Sequence, residues 1–230
     1  MTMPKLRKPI GTSIFLGIVF LVAALVILVT PESPGAQGQI YLEDAVQSGQ
    51  VEILITGKSI RFTEPMLSLK LRNKSTSSLM IVVRAGLELV SEDPGYADVI
   101  VGKESIASFQ AGEERSIDLY AFSLDPTRSF PPVEARYSIK GVSGNSELLD
   151  LLDRVRERHA ESTLAAQLAV WIRAMGYTFE QLEDTLEVSL ESYRAETLGL
   201  LGLPIARPDS TGTSLAPTEE RPGNTPSRVT

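Results

Sequence analysis

The 230-residue sequence predicts a mixed α+β protein: an N-terminal transmembrane helix, then an antiparallel β-sandwich, then a three-helix segment. Three observations predict it. Ile10–Val29 is an apolar run without a charged residue; short alternating runs separated by turn residues fill residues 50–140; and from Ser143 the apolar spacing becomes helical. The corresponding boundaries are 1–9 for a cytoplasmic N-terminus, 10–29 for the span, 30–39 for a linker, 40–142 for the sandwich, 143–203 for the helices and 204–230 for a disordered tail.

The first run has the length of a bilayer span. Twenty residues at about 1.5 Å each make a helix of about 30 Å, the thickness of the hydrocarbon core. The apolar part of a cleaved signal is about 7–15 residues. Pro31 and Pro34 also interrupt any small-x-small cleavage site behind this run, so an uncleaved anchor is preferred to a cleaved signal followed by secretion. Lys5, Arg7 and Lys8 precede the run, and the next basic residue is Lys58. The positive-inside rule therefore keeps the N-terminus cytoplasmic and exports the rest. Of 22 basic residues, 19 remain in the exported part against 29 acidic ones, a charge of about −10. Nucleic acid is excluded as a partner, because phosphates demand a basic face. The chain has no cysteine, which removes disulfides, thiolate metal sites and cysteine nucleophiles together.

Residues 31–39, PESPGAQGQ, are too polar and too rich in Pro and Gly to bury a core, and read as a spacer. Leu42–Val46 reads as a brief helix. Strands are expected at Val51–Thr56, Met66–Leu71, Leu79–Arg84, Val99–Phe109, Ser116–Phe122 and Ala135–Ile139. In Leu67–Leu71 three leucines alternate with Ser68 and Lys70, the pattern of a half-buried strand. The connections Asn73–Ser78, Ser91–Gly95, Gln110–Glu113 and Asp125–Pro132 carry the Asn, Asp, Gly and Pro that turns require. Six or seven short strands at this spacing favour an immunoglobulin-like sandwich.

Beyond Ser143, Leu148, Leu152, Val155 and His159 form one helical stripe, with Asp150 and Arg154 spaced for a surface pair. Leu164, Leu168, Ile172 and Met175 form a second, which Gly176 is placed to end. Thr178-Phe179-Glu180-Gln181 fits a capping box opening a third helix, whose Leu182, Leu186, Tyr193 and Thr197 share one side. The tail from 204 has almost no large apolar side chains beyond Ile205 and Leu215.

Ser116–Pro126, Pro131-Pro132, Tyr137–Ile139 and Gln167-Leu168-Ala169-Val170-Trp171 together resemble uncharacterised bacterial extracytoplasmic surface domains. In these a β-sandwich leads into a helical segment with a Gln-x-Ala-x-Trp-like element, and distant relatives are similar to thioester-type adhesion domains. The resemblance covers about residues 50–185 and implies a domain used for contact or architecture. Thioester chemistry couples a cysteine to a glutamine, and a chain without cysteine cannot perform it.

Few residues invite a chemical assignment. His159 is the sole histidine, and zinc sites gather three or four N or S ligands. It reads as a half-buried helix residue or a favourable charge at a helix C-terminus. Carboxylates cluster at Glu92-Asp93, Glu113-Glu114, Glu180–Asp184 and Glu219-Glu220. Glycosidase chemistry needs convergence across a sugar, which sequence proximity does not supply, so these read as solvated surface. The loop Glu92–Gly95 with Asp98 is the one calcium candidate. Trp171, the sole tryptophan, reads as core. Asn73-Lys74-Ser75 is a glycosylation sequon in a predicted turn. Arg61, Lys70, Arg72, Lys74 and Arg84 are too dispersed for a phosphate site. No catalytic, cofactor or metal residue is assigned. The expectation is a membrane-anchored, non-catalytic binding or scaffolding module at the cell surface, its partners the bilayer through residues 10–29 and a protein or cell-surface ligand. The alternatives are an extracytoplasmic carboxylate-dependent hydrolase using His159, and an accessory subunit of a membrane complex.

Overall fold

A computed structural model describes residues 38–61 and 63–204. The expected span 10–29, most of the linker and the tail from 205 lie outside the described residues. Among the described residues no helix is long and apolar enough to cross a membrane.

The protein is mixed α+β. Its strands are β1 Gln39–Tyr41, β2 Val51–Gly57, β3 Leu67–Asn73, β4 Leu79–Val83, β5 Leu87–Ser91, β6 Val99–Val101, β7 Ser105–Phe109, β8 Glu114–Leu119, β9 Ala121–Ser123 and β10 Arg136–Val142. Its helices are α1 Leu42–Gln47, α2 Ser146–Glu157, α3 Leu164–Met175, α4 Phe179–Leu186 and α5 Glu191–Leu201. They form two compact units. One takes the described residues up to Ile53 with Lys70–Val83 and Ser105–Ser116; the other takes Leu54–Leu69, Arg84–Glu104 and the described residues from Ile117.

The first unit holds a three-stranded sheet of order β1-β4-β7. β1 runs parallel to β4, with Ile40 opposite Ile81, and β7 runs antiparallel to β4, with Ala107 opposite Ile81. Ile81, Val83 and Phe109 are buried, as are Leu42 and Ala45 of α1.

The larger, curled sheet has the order β8-β3-β2-β10-β5-β6-β9. β8 and β9 are its two edges, yet only Tyr120 separates them in the chain. One residue reaches about 3.8 Å, so the sheet must bend round for its edges to meet there. β10 pairs antiparallel with β5, with a register shift between Ile139 and Gly141 where Gly141 adopts φ 132°; this is a bulge that only glycine accommodates freely. β6 has all three side chains buried.

Several expectations are corrected in detail. Val99–Phe109, expected as one strand, is two in different sheets, broken at Gly102. A Cβ there would stand 2.4 Å from the Phe122 ring. Ser116–Phe122 is likewise divided at Tyr120, whose carbonyl accepts the Gly102 N–H at 2.8 Å. The strand Leu87–Ser91 is additional to those expected, with Leu87 and Leu89 alternating inward around Glu88.

The helical segment holds four helices where three were expected. Asn145 caps α2 by accepting the Leu148 N–H at 3.1 Å, and Thr163 caps α3 by accepting that of Ala166 at 3.1 Å. Gly176 closes α3 in the left-handed conformation, and the Thr178/Gln181 capping box opens α4. The expected third helix then breaks at Glu187, φ 55°, and restarts at Glu191. The Glu183 carboxylate accepts the Leu190 N–H at 2.7 Å, fixing the restart. Val188 and Ser189 between them are weak helix formers.

In the second unit Leu148, Leu151, Leu152 and Val155 of α2 pack with Ala165, Ala166, Ala169 and Val170 of α3, Leu200 and Leu201 of α5, and Ile100 and Phe122 of the sheet. A second cluster gathers Leu168 and Trp171 of α3, Phe179 and Leu182 of α4, and Leu190.

Candidate functional site

The polar side chains that the sequence singled out hold backbone together. Asn73 ends β3 fully buried. Its amide nitrogen donates to the carbonyls of Ser77 (2.8 Å), Gln110 (3.0 Å) and Phe109 (3.3 Å), while its oxygen accepts from the N–H (2.9 Å) and hydroxyl (2.7 Å) of Ser75. The amide nitrogen of the sequon is therefore enclosed, and a glycan has no room on it in the fold.

Gln167 is fully buried on α3 and lies against the outer edge of β9. It accepts the Ser123 N–H at 2.9 Å and donates to the Ser123 carbonyl at 2.8 Å. An edge strand presents such groups in pairs, and the carboxamide here takes the place of the next strand's peptide. No signal short of knowing that Ser123 lies at a sheet edge would have revealed this contact. Trp171, one turn further along α3, is 1% exposed, with its ring centroid 6.2 Å from that of Phe130.

The carboxylates are similarly occupied. In the calcium candidate, Asp93 accepts the Gly95 N–H at 2.8 Å and Asp98 accepts the Ser91 N–H at 3.0 Å. These bonds close the loop from within. Among the described residues no group of three or more His, Cys, Asp or Glu side chains could hold a metal ion. Glu113 accepts the Gln110 N–H at 2.7 Å, closing the turn before β8. Glu114 pairs with Lys70 at 2.6 Å, and that hydrogen bond holds its carboxyl below the usual range. Glu180 is lowered by its own backbone N–H, by Thr178 and by Arg194, whose guanidinium also lies 4.6 Å over the Phe179 ring. Arg61 pairs with Glu64 at 3.3 Å. Glu219 and Glu220 lie outside the described residues.

His159 is exposed and sits two residues beyond α2 in the left-handed conformation, φ 52°. The apolar stripe of Leu148, Leu152 and Val155 is buried as expected, but the helix ends before the stripe reaches His159. The expected Asp150–Arg154 pair is not among the ion pairs of the described residues. Arg154 instead donates Nε to the Leu200 carbonyl at 2.7 Å, and Arg173 donates to that of Leu201 at 3.4 Å while pairing with Glu147 at 2.6 Å. Two guanidinium groups thus cover the negative end of the α5 dipole.

Concave surface gathers beside the Pro131–Glu134 loop. One cleft of about 320 Å³ is lined by Glu92, Asp93, Tyr96, Glu134 and Arg136, and a second of about 420 Å³ by Lys58, Ile60, Arg61, Pro131 and Val133. The loop is held down by Gly57, whose N–H reaches the Ala135 carbonyl at 2.9 Å and whose missing Cβ would stand 2.0 Å from the Pro132 carbonyl oxygen. Beneath, the Tyr137 hydroxyl donates to the Ala97 carbonyl at 3.1 Å, and burial pushes its pKa far up. The first cleft offers three carboxylates and a guanidinium to a ligand; the second offers aliphatic surface between cations.

Comparison of the chain with protein-family models, curated proteins and solved structures finds no match in any of the three.

Proposed function

We propose that the chain is a membrane-anchored, extracytoplasmic, non-catalytic binding or scaffolding module. In this reading the strand-rich part is of immunoglobulin-like sandwich type, and residues 10–29 form the span. The observation that carries it is the uncharged run Ile10–Val29 directly behind Lys5, Arg7 and Lys8. The use of Asn73, Gln167, Asp93 and Asp98 on backbone groups supports the non-catalytic half, because side chains so held are organising the chain.

The absence of cysteine allows a clean test. Thr2→Cys and Thr76→Cys variants are treated on intact spheroplasts with a membrane-impermeant maleimide. Labelling of the Thr76→Cys variant alone, with the Thr2→Cys variant reacting only after lysis, is expected; the reverse pattern, or release of the protein by alkaline carbonate, overturns the anchor. One observation favours a hydrolase, namely Glu92 and Glu134 on a single cleft. Turnover of a glycan, ester or peptide panel that is lost in Glu134→Gln would select it over the scaffold.

A further inference from the structure

The face of the β1-β4-β7 sheet that carries Tyr41, Val82 and Ile106 is set apart by its lack of charge. Tyr41 stands opposite Val82, and Val82 opposite Ile106, so the three side chains form one cross-strand row. Gln39, Met80 and Ser108 form the neighbouring row on the same face. Tyr41 is 43% exposed and Ile106 53% exposed, flanking Val82, which is buried between them at 3%. The longer strands of the other sheet present charge at exposed positions: Glu52 on β2, Lys70 and Arg72 on β3, Arg136 and Lys140 on β10. On a chain whose exported part carries about −10, the exposed members of these rows, Gln39, Tyr41, Ile106 and Ser108, carry no charge and are little repelled by anionic lipid.

The sheet also begins where the chain leaves the apolar run. Eleven residues lie between Val29 and Tyr41, and these twelve steps of chain span about 40 Å at full extension. β1 is therefore the described element tethered nearest that run. An aromatic with an apolar ring and a polar tip, beside aliphatic side chains, is the composition found at the headgroup level of bilayers.

We propose that this face lies on the lipid surface beside the anchor, with Tyr41 and Ile106 at headgroup depth. The proposal rests on the anchored reading given above. Contact of this kind fixes the orientation of the first unit relative to the bilayer, and turns its other surfaces outward.

The test uses the full chain, with the single variants Ile106→Cys and Asp184→Cys carrying an environment-sensitive NBD fluorophore, in vesicles of phosphatidylcholine and phosphatidylglycerol. Asp184 is exposed on α4 and serves as the aqueous reference. Vesicle flotation reports the anchor; emission maximum and iodide quenching report the face. Expected are flotation of both variants, with a blue-shifted, iodide-shielded probe at position 106 only. Flotation with equal quenching at both positions overturns the face contact and leaves the anchor standing. Shielding that fades as the protein-to-lipid ratio is lowered assigns the face to a second copy of the chain and overturns the lipid contact. Failure to float overturns both readings.

Discussion

Replacing Gln167 by methionine keeps the length and much of the volume of the side chain while deleting both hydrogen bonds to Ser123. The consequence follows from where those bonds lie. Gln167 and Ser123 are both fully buried, so the freed N–H and carbonyl of Ser123 find no water. A buried polar group left unpaired costs about 1–3 kcal/mol. Two of them, less a small gain from the apolar side chain, give a loss of about 2–5 kcal/mol. Total stability is about 5–15 kcal/mol for a domain, so this is a large fraction. Urea unfolding of the purified chain, followed by the fluorescence of Trp171, reads it directly, since this sole tryptophan is 1% exposed one turn away. With a slope of about 2 kcal/mol/M, the midpoint should fall by about 1–2.5 M. Gln167→Glu adds a pH signature. Its carboxylate can still accept the Ser123 N–H, but it faces the Ser123 carbonyl, so burial and that carbonyl raise its folded pKa above the unfolded value of about 4.3. A raised folded value favours the protonated form: the variant is least impaired below the unfolded value and loses stability as pH rises through the folded one. A methionine variant within about 0.5 kcal/mol of the parent, or a glutamate variant indifferent to pH, refutes the idea that the carboxamide seals β9.

Asn73→Ala should lower stability by about 3 kcal/mol, and Asn73→Asp by more, because a carboxylate cannot donate to the three carbonyls around it; thermal denaturation ranks the two. Gly57→Ala forces a Cβ against the Pro132 carbonyl and should cost about 2–4 kcal/mol. Gly112→Ala, at φ +72° with nothing within 4 Å of its Cβ, should cost only the left-handed strain of about 1 kcal/mol, and equal losses in the two variants would contradict the packing argument. Glu88 and Lys140 pair at 2.7 Å. Burial alone would raise the Glu88 carboxyl, but hydrogen bonds from Lys140 and Ser143 outweigh it and hold it below its ordinary 4.5, while Glu88 raises Lys140 above 10.5. A Glu88→Gln/Lys140→Met double-mutant cycle should give about 0.5–1 kcal/mol of coupling at neutral pH. That coupling is present above the ordinary carboxylate value and fades as acid carries Glu88 through its depressed one, and it fades again as alkali carries Lys140 through its raised one.

The elements most legible in the sequence are those whose signal is local. Leu67, Leu69 and Leu71 are buried while Lys70 and Arg72 are exposed, as their alternation requires. Gly176 and the Thr178/Gln181 box punctuate the helices where expected, and the change of period near Ser143 falls between the end of β10 and the start of α2. What is not legible depends on distant partners or on a period that outlasts its backbone. Val99–Phe109 reads as one run because apolar pattern does not say which sheet a residue joins. Leu186 and Tyr193 remain in helical phase across a break, so periodicity alone passes over Glu187. His159 fits its stripe by arithmetic but follows the end of the helix. At the candidate site the residue types are visible, whereas the partner of Gln167 is 44 positions away in sequence and that of Asn73 up to 37.

α3 shows what such distant partners do. Every residue from Ala165 to Trp171 is buried, so this stretch has no wet face on which a ligand platform could stand. Its alanines let α2 and α5 approach, Thr197 of α5 donates to the Ala165 carbonyl at 3.3 Å, Gln167 joins β9, and Trp171 enters the cluster with Phe179 and Leu182. A buried helix tied to a strand edge by a single amide is held in one rotation about its axis, because turning it breaks both bonds to Ser123 and withdraws Trp171 together. Gln167 and Trp171, four residues apart and on the same side of the helix, thus act as one positioning device. Any other chain that carried this spacing at the same place would share a way of docking a helix to a sheet, and its ligand would have to be sought on surfaces that these residues never reach.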